Sequence, residues 1–160
     1  MTELEAAERG ADVRFPPPLV FLISILSGIA LRFALAPISV SAHSSLLRWA
    51  GAAIAVGGLG MGLPARSLFR RTGQDPKPWA PSPELVLTGP FRFTRHPMYV
   101  GLMFVQLGFG LLFNNLWISV LAPVSLLAVH FTAVLPEERY LAEKFGQSYQ
   151  DYQRRVRRYL

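Results

Sequence analysis

Cysteine is absent from this 160-residue sequence, and charged residues make up only 16% of it. Without a thiol, the chain has no disulfide, no thiolate nucleophile and no cysteine-bound metal. The three histidines, His43, His96 and His130, are isolated from one another, so we expect no metal site. No G-x-G-x-x-G segment follows a strand pattern, which excludes a soluble enzyme of the Rossmann type.

Apolar residues dominate what is present: they form 51% of the chain, and the mean hydropathy is +0.31. A membrane helix needs about 20 apolar residues. Four stretches meet this need or come close to it, at residues 19–36, 46–63, 98–113 and 116–135. We therefore predict an all-α, polytopic membrane protein with about four transmembrane helices plus cytoplasmic C-terminal helices, as a single domain over residues 1–160.

The segments between these stretches divide the domain. Residues 1–18 form an acidic tail unlike a signal peptide, so we expect the first stretch to remain as an anchor. Residues 19–63 hold the first two spans, in which Gly58-x-x-x-Gly62 indicates close helix packing, within one subunit or between two. A polar loop follows at 64–97, and residues 98–135 form a hairpin that turns at Asn114-Asn115. The remaining residues, 136–160, are expected to be cytoplasmic and interfacial helices.

Basic residues are unevenly placed among the segments. Of the sixteen Lys and Arg residues, six lie at 65–97 and six lie after Pro136, whereas the link at 37–45 has none. Because basic loops face the cytoplasm, both termini are predicted to be cytoplasmic. In the last helix Tyr149 and Tyr152 recur at helical spacing with Val156 and Tyr159, among four arginines. This pattern, with the net charge of +6, favours an anionic membrane surface rather than nucleic acid as the partner.

The start of the third span is the first candidate site. Pro97 is suited to the first turn of a helix, where its missing amide hydrogen costs nothing. Arg92, Arg95 and His96 precede it, at an end that carries free amide hydrogens and partial positive charge. An anionic group would bind well here. The alternative is a positive-inside flank without a ligand.

Glu137-Glu138-Arg139, at the end of the fourth span, is the second candidate. Adjacent helical residues diverge by about 100 degrees, so we expect one carboxylate to face a site and the other to face water. The hairpin should bring both close to His96, around one nucleotide-sized cavity. His130, seven residues before Glu137, is expected on nearly the same face. A surface salt bridge between the two clusters is the alternative, and it would contribute little.

Three blocks resemble a known family. They are GQDPKPWAP at 73–81, LVLTGPFRFTRHPMYVG at 85–101, and residues 136–159, where Glu137-Glu138 precedes Phe145-Gly146 and Tyr149-x-x-Tyr152. The chain is similar here to the isoprenylcysteine carboxyl methyltransferase and phospholipid methyltransferase superfamily of integral membrane enzymes. The resemblance implies that S-adenosylmethionine is the methyl donor and S-adenosylhomocysteine the product. It places at the cofactor Arg95, His96, Pro97, Tyr99, Gly101, Glu137 and Glu138.

The function implied is methyl transfer to a lipid-like acceptor at the cytoplasmic face of the membrane. A carboxylate or thiolate acceptor needs no general base, whereas an ammonium acceptor must first lose a proton. Glu138, Arg139 and His130 are the candidates for a part in the reaction. Two alternatives are a non-enzymatic four-helix transporter or scaffold, and a membrane reductase. The sequence does not choose the acceptor atom or the oligomeric state.

Overall fold

The computed structural model describes residues 10–13, 15–35 and 45–160. These residues form helices, turns and loops, with no strand among them. The predicted link at 37–45 between the first two spans and most of the acidic tail lie outside the described residues. We number the helices α1 to α5: Pro17–Ala34, Ser45–Arg71, Pro97–Leu112, Leu116–Phe145 and Gln147–Arg155.

Three helices, α1, α2 and α4, are long and apolar enough to cross a membrane. The apolar α3 has 16 residues, fewer than the roughly 20 that a perpendicular span requires. Many large apolar side chains on these helices are exposed, as they are in helices surrounded by lipid. The all-helical, polytopic membrane fold predicted from the sequence is confirmed. The predicted loop at 64–97 begins later, because α2 continues through Pro64 to Arg71.

Close backbone contact joins α2 to α3. A Cβ atom on Gly58 would lie 2.5 Å from the carbonyl oxygen of Gly101, so only glycine allows this approach. Gly62 lies one turn further along the same contact. The Gly58-x-x-x-Gly62 pair therefore packs against α3 of the same chain.

A tight turn joins α3 to α4 at Asn114 and Asn115, as predicted. Asn114 has a φ of 51°, in the left-handed region that asparagine tolerates better than most residues. Arg32 donates hydrogen bonds to the carbonyls of Phe113 and Asn114 at 3.5 and 3.0 Å. The turn thus fixes the third and fourth helices side by side against α1.

The opposite end of the bundle, where α3 begins and α4 ends, is called the basic end. Ala11 and Val13 are buried there, and the Ala11 amide donates to the carbonyl of Pro78 at 3.0 Å. Both pack with Tyr99 in a core that also contains residues of α4. Within α4, a π-helical turn spans His130–Val134. Gly146 ends α4 with a φ of 51°.

Candidate functional site

The predicted cationic site forms where α3 begins. Pro97 occupies the first turn and His96 the N-cap position, with a non-helical backbone conformation, so both Arg95 and His96 precede the helix. The backbone amide of His96 donates a hydrogen bond to Thr94 Oγ1 at 3.3 Å. The His96 side chain is 3% exposed. This short segment therefore brings one permanent cation and one imidazole into the protein interior.

Glu138 of α4 is the centre of the ionic contacts. Its Oε1 accepts hydrogen bonds from Arg95 Nε and Nη2 at 3.2 and 2.8 Å. Arg158 donates from Nε to Oε1 at 3.0 Å and from Nη2 to Oε2 at 2.7 Å. The side chains of Arg95 and Glu138 are 9% and 7% exposed. The contact between Arg95 and Glu138 is buried and charge-assisted, unlike the weak surface salt bridge considered as the alternative.

His96 lies between the two glutamates. Its Nε2 is 3.1 Å from Glu138 Oε1, and its Nδ1 is 3.8 Å from Glu137 Oε2. We expected one carboxylate to face water, and this was wrong. The two carboxylates do diverge around the helix, but the two ring nitrogens of one imidazole also point in different directions. A single histidine therefore faces both of them.

Tyr99, in the first turn of α3, completes the cluster. Its hydroxyl donates to Glu137 Oε2 at 2.9 Å, and its ring stacks on that of His96 with centroids 5.7 Å apart and planes 10° from parallel. Tyr99 itself is 5% exposed. Glu137 is thus held by a hydroxyl group, whereas Glu138 is held by two guanidinium groups.

Two hollows adjoin this cluster, instead of the one cavity expected. The larger, about 270 Å³, contains Tyr99 and Gly101 in its wall. The smaller, about 40 Å³, contains Glu137 and Arg95. Tyr99 lines one hollow and Glu137 lines the other, and the hydrogen bond between them links the walls of the two hollows.

The larger hollow is apolar and lies between helices. The start of α1, the middle of α2 and the first half of α3 form its walls, together with the loop that contains Trp79. Its only charged lining side chains among the described residues are Arg66 and Lys77. Lys77 pairs with Asp75 at 3.0 Å, and that contact lowers the pKa of the Asp75 carboxyl. This hollow suits an apolar ligand with a polar or anionic end.

The other predicted site residues lie near the cluster or outside it. Gly101 allows the close approach of α2. His130 is in the π-helical turn, and its Nδ1 is 2.7 Å from the Tyr159 hydroxyl oxygen. That turn changes the register between His130 and Glu137, which an unbroken α-helix would place on nearly one face. Arg139 is exposed on α4.

The C-terminal helix differs from the prediction. We expected Tyr149, Tyr152, Val156 and Tyr159 to form the apolar face of a helix on lipid headgroups, but α5 ends at Arg155. Tyr149 and Tyr152 are 1% and 6% exposed, and Tyr152 donates to the carbonyl of Phe91 at 2.7 Å. Burial raises the pKa of Tyr152 to about 12 and also raises the pKa of Tyr149. The aromatic face therefore packs against protein, because the loop before α3 offers it a carbonyl partner.

Arg158 was missed as a site residue. In the sequence it is one of four arginines that look alike, and all were assigned to the membrane surface. Its hydrogen bonds to Glu138 raise the pKa of the guanidinium. Only the change from helix to extended backbone at Val156 distinguishes Arg158 from the neighbouring arginines. The spacing of basic residues in the sequence does not indicate this change.

Comparison with known proteins agrees with the resemblance seen in the sequence. A protein-S-isoprenylcysteine O-methyltransferase from Schizosaccharomyces pombe is 35% identical to the chain over 72 residues. The match covers 45% of this chain and 30% of the length of that protein. The model of the phospholipid methyltransferase family matches residues 46–148, well over half of the chain. This range includes both predicted site clusters, and it favours a methyltransferase over a scaffold, transporter or reductase. The chain belongs to the phospholipid methyltransferase family.

Proposed function

We propose that this chain transfers a methyl group from S-adenosylmethionine to a lipophilic acceptor at the cytoplasmic face of a membrane. The supporting observation is the buried cluster in which Arg95, His96 and Tyr99 of one helix start meet Glu137 and Glu138 of the next helix. A plain transmembrane bundle has no need of such a cluster, since intramembrane ionisable groups are costly. The basic end faces the cytoplasm in this proposal, with four spans and both termini inside.

The smaller hollow has the chemical groups that S-adenosylmethionine requires. A carboxylate, Glu137, suits its ammonium group, and a guanidinium, Arg95, suits its carboxylate. Aromatic rings suit the adenine and the sulfonium. The rings in the wall belong to Phe69, Phe91, Tyr149 and Tyr152. Ligand pockets usually exceed about 300 Å³, so binding at this 40 Å³ hollow requires its walls to move apart or the two hollows to join.

The larger hollow is the proposed acceptor site. Its walls are mostly apolar, and it lies between helices that contact the bilayer. Arg66 and Lys77 are its charged lining groups, and both repel an ammonium acceptor. Of the three acceptor types, a carboxylate or a thiolate on an apolar molecule therefore fits better than an amine.

The bound cofactor supplies a methyl carbon that is already activated, so the protein needs no nucleophilic side chain. The chain's own residues position the two ligands and exclude water from them. In this proposal Pro97 and Gly101 shape the start of α3, and Tyr99 separates donor from acceptor until both are bound. Glu138 fixes Arg95 and His96. The ring of Tyr159 lies between those of His130 and His96 and contacts both, so His130 acts on His96 only indirectly. Arg139 follows Glu138 on the same helical turn, and its side chain is exposed to a soluble ligand.

Equilibrium binding of S-adenosylhomocysteine to the detergent-purified chain tests the proposal. We expect saturable binding by the wild type and a loss of affinity of about tenfold or more in Glu137→Gln, as for other charge-assisted ligand contacts. Glu143→Gln is the matched control, because Glu143 is exposed on the same helix. If the wild type shows no saturable binding in detergent or in lipid nanodiscs, the proposed function is wrong.

The acceptor can be sought without knowing its identity. Lipid extracts of cells that overproduce the chain would be compared with extracts from cells that produce Glu137→Gln. We expect one or more lipophilic acids or thiols to gain the mass of one methylene group only with the wild type. Methylated amines in place of these products would overturn the charge argument while leaving the methyltransferase proposal intact.

A further inference from the structure

Residues 156–159 follow α5 without helical structure and lie against the basic end. We call them the C-terminal strap. The backbone amide of Arg95 donates to the carbonyl of Arg157 at 2.9 Å. Thr94 Oγ1 donates to the carbonyl of Arg158 at 2.9 Å, and Arg95 Nη1 donates to that of Val156 at 3.0 Å. The strap is therefore fastened to the two residues that precede the proposed cofactor histidine.

Arg158 extends from this strap into the ionic cluster. It contacts both oxygens of Glu138, whereas Arg95 and His96 contact only Oε1. The Arg158 side chain is 39% exposed, so it approaches Glu138 from the solvent side. Without Arg158, Oε2 of Glu138 would lose the hydrogen bond that fixes the plane of its carboxylate.

The strap is also fixed beyond Arg158. The Tyr159 hydroxyl lies 2.7 Å from His130 Nδ1, and the Tyr159 ring lies 6.4 Å from that of His96, centroid to centroid. Burial raises the pKa of Tyr159, so the hydroxyl stays neutral at physiological pH. Arg158 is thus held between two anchored positions and is preorganised for its contact with Glu138.

We propose that Arg158 is a positioning residue of the methyltransferase site, acting through Glu138. By holding both carboxylate oxygens, Arg158 keeps Glu138 directed at Arg95 and His96. These two side chains then keep the orientation in which they meet the cofactor. This inference rests on the proposed function. It adds that the C-terminal strap is a required part of the methyltransferase site.

The neighbouring arginine provides a matched control. Arg157 has the same charge one position earlier, but its side chain is exposed and only its backbone carbonyl contacts the site. Substitution of Arg157 retains that carbonyl. A general effect of positive charge near the membrane would appear equally in both positions, whereas positioning would appear only at Arg158.

The experiment measures S-adenosylhomocysteine affinity and thermal stability for the full-length chain in detergent. We expect Arg158→Ala to weaken binding by about tenfold or more, as is typical when a supporting contact of a site residue is lost. Arg158→Lys should restore part of the affinity, because an ammonium group retains the charge but not the two-pronged contact. Arg157→Ala and Arg157→Lys should stay within about twofold of the wild type, as expected for exposed side chains outside a site.

Steady-state kinetics separate positioning from general damage. Arg158→Lys should raise the KM for S-adenosylmethionine and leave the KM for the acceptor unchanged. If Arg158→Ala fails to fold, the test is the comparison of S-adenosylhomocysteine affinity between Arg158→Lys and Arg157→Lys. Wild-type binding with equal affinities in that pair overturns the positioning role alone. Absence of binding by the wild type overturns the proposed function and this inference together.

Discussion

Replacement of Glu138 by alanine removes the only carboxylate that contacts the guanidinium groups of both Arg95 and Arg158 in the described structure. Arg95, 9% exposed at its side chain, would remain buried without an anionic partner. Removal of one partner from a buried ion pair costs about 3–5 kcal/mol, because the remaining charge stays desolvated. Arg158 is more than one third exposed, so its lost contact is screened by water and adds little.

The expected loss of stability is therefore that of one buried pair, about 3–5 kcal/mol. In a chain of this size each kcal/mol lowers the melting temperature by about 2–4 °C, so the midpoint should fall by on the order of 10 °C. Thermal unfolding in detergent, followed by size-exclusion chromatography of the heated protein, measures this. Glu143→Ala, on the exposed side of the same helix, should melt within about 2 °C of the wild type, as surface substitutions do.

A double substitution checks the cause. If buried charge is responsible, Arg95→Leu combined with Glu138→Leu should cost less than the two single changes added together. A midpoint for Glu138→Ala close to that of the wild type would refute the reasoning. The contacts around Glu138 would then contribute no more than a surface salt bridge.

Three further predictions use the same melting assay. Gly58→Ala should cost about 1–3 kcal/mol, because its methyl group would meet the carbonyl of Gly101; Gly60→Ala, where nothing lies within 4 Å, should be neutral or stabilising. Asn114→Val should destabilise the hairpin more than Asn114→Gly, since a β-branched residue resists a φ of 51°; equal midpoints would contradict this. Gln106→Leu should cost about 0.6–1.7 kcal/mol, the range for hydrogen bonds between membrane helices, because it leaves the Ser24 and Ser125 hydroxyls without this partner.

Local signals explain why most of the fold was predictable. Pro97 marks a helix start, the Asn114-Asn115 pair marks a turn, and Gly146 marks a helix end, and each acts through the backbone preferences of a few adjacent residues. The π-helical turn at His130–Val134 carries no comparable signal. The position of this turn depends on how α4 packs against its neighbours, and the spacing of apolar residues in the sequence does not indicate it.

The ionic cluster was only half predictable, for a related reason. The sequence placed His96 close to the two glutamates, because a two-residue turn forces the helices into an antiparallel pair. It did not indicate Arg158, which meets Glu138 only because the chain leaves α5 at Arg155 and then runs in extended form. Where four arginines share one charge, the conformation of the backbone decides which of them enters the interior.

The separation of the two hollows gives the proposed reaction a physical constraint. Donor and acceptor must meet within bonding distance, yet Tyr99 of one hollow's wall and Glu137 of the other's are hydrogen-bonded to each other at 2.9 Å. A hydrogen bond to a charged group contributes about 1.5–3 kcal/mol net. Micromolar binding of a single ligand supplies about 8 kcal/mol. Ligand binding therefore has ample free energy to break this contact, and the unliganded protein can keep its two hollows apart without preventing methyl transfer once both are filled.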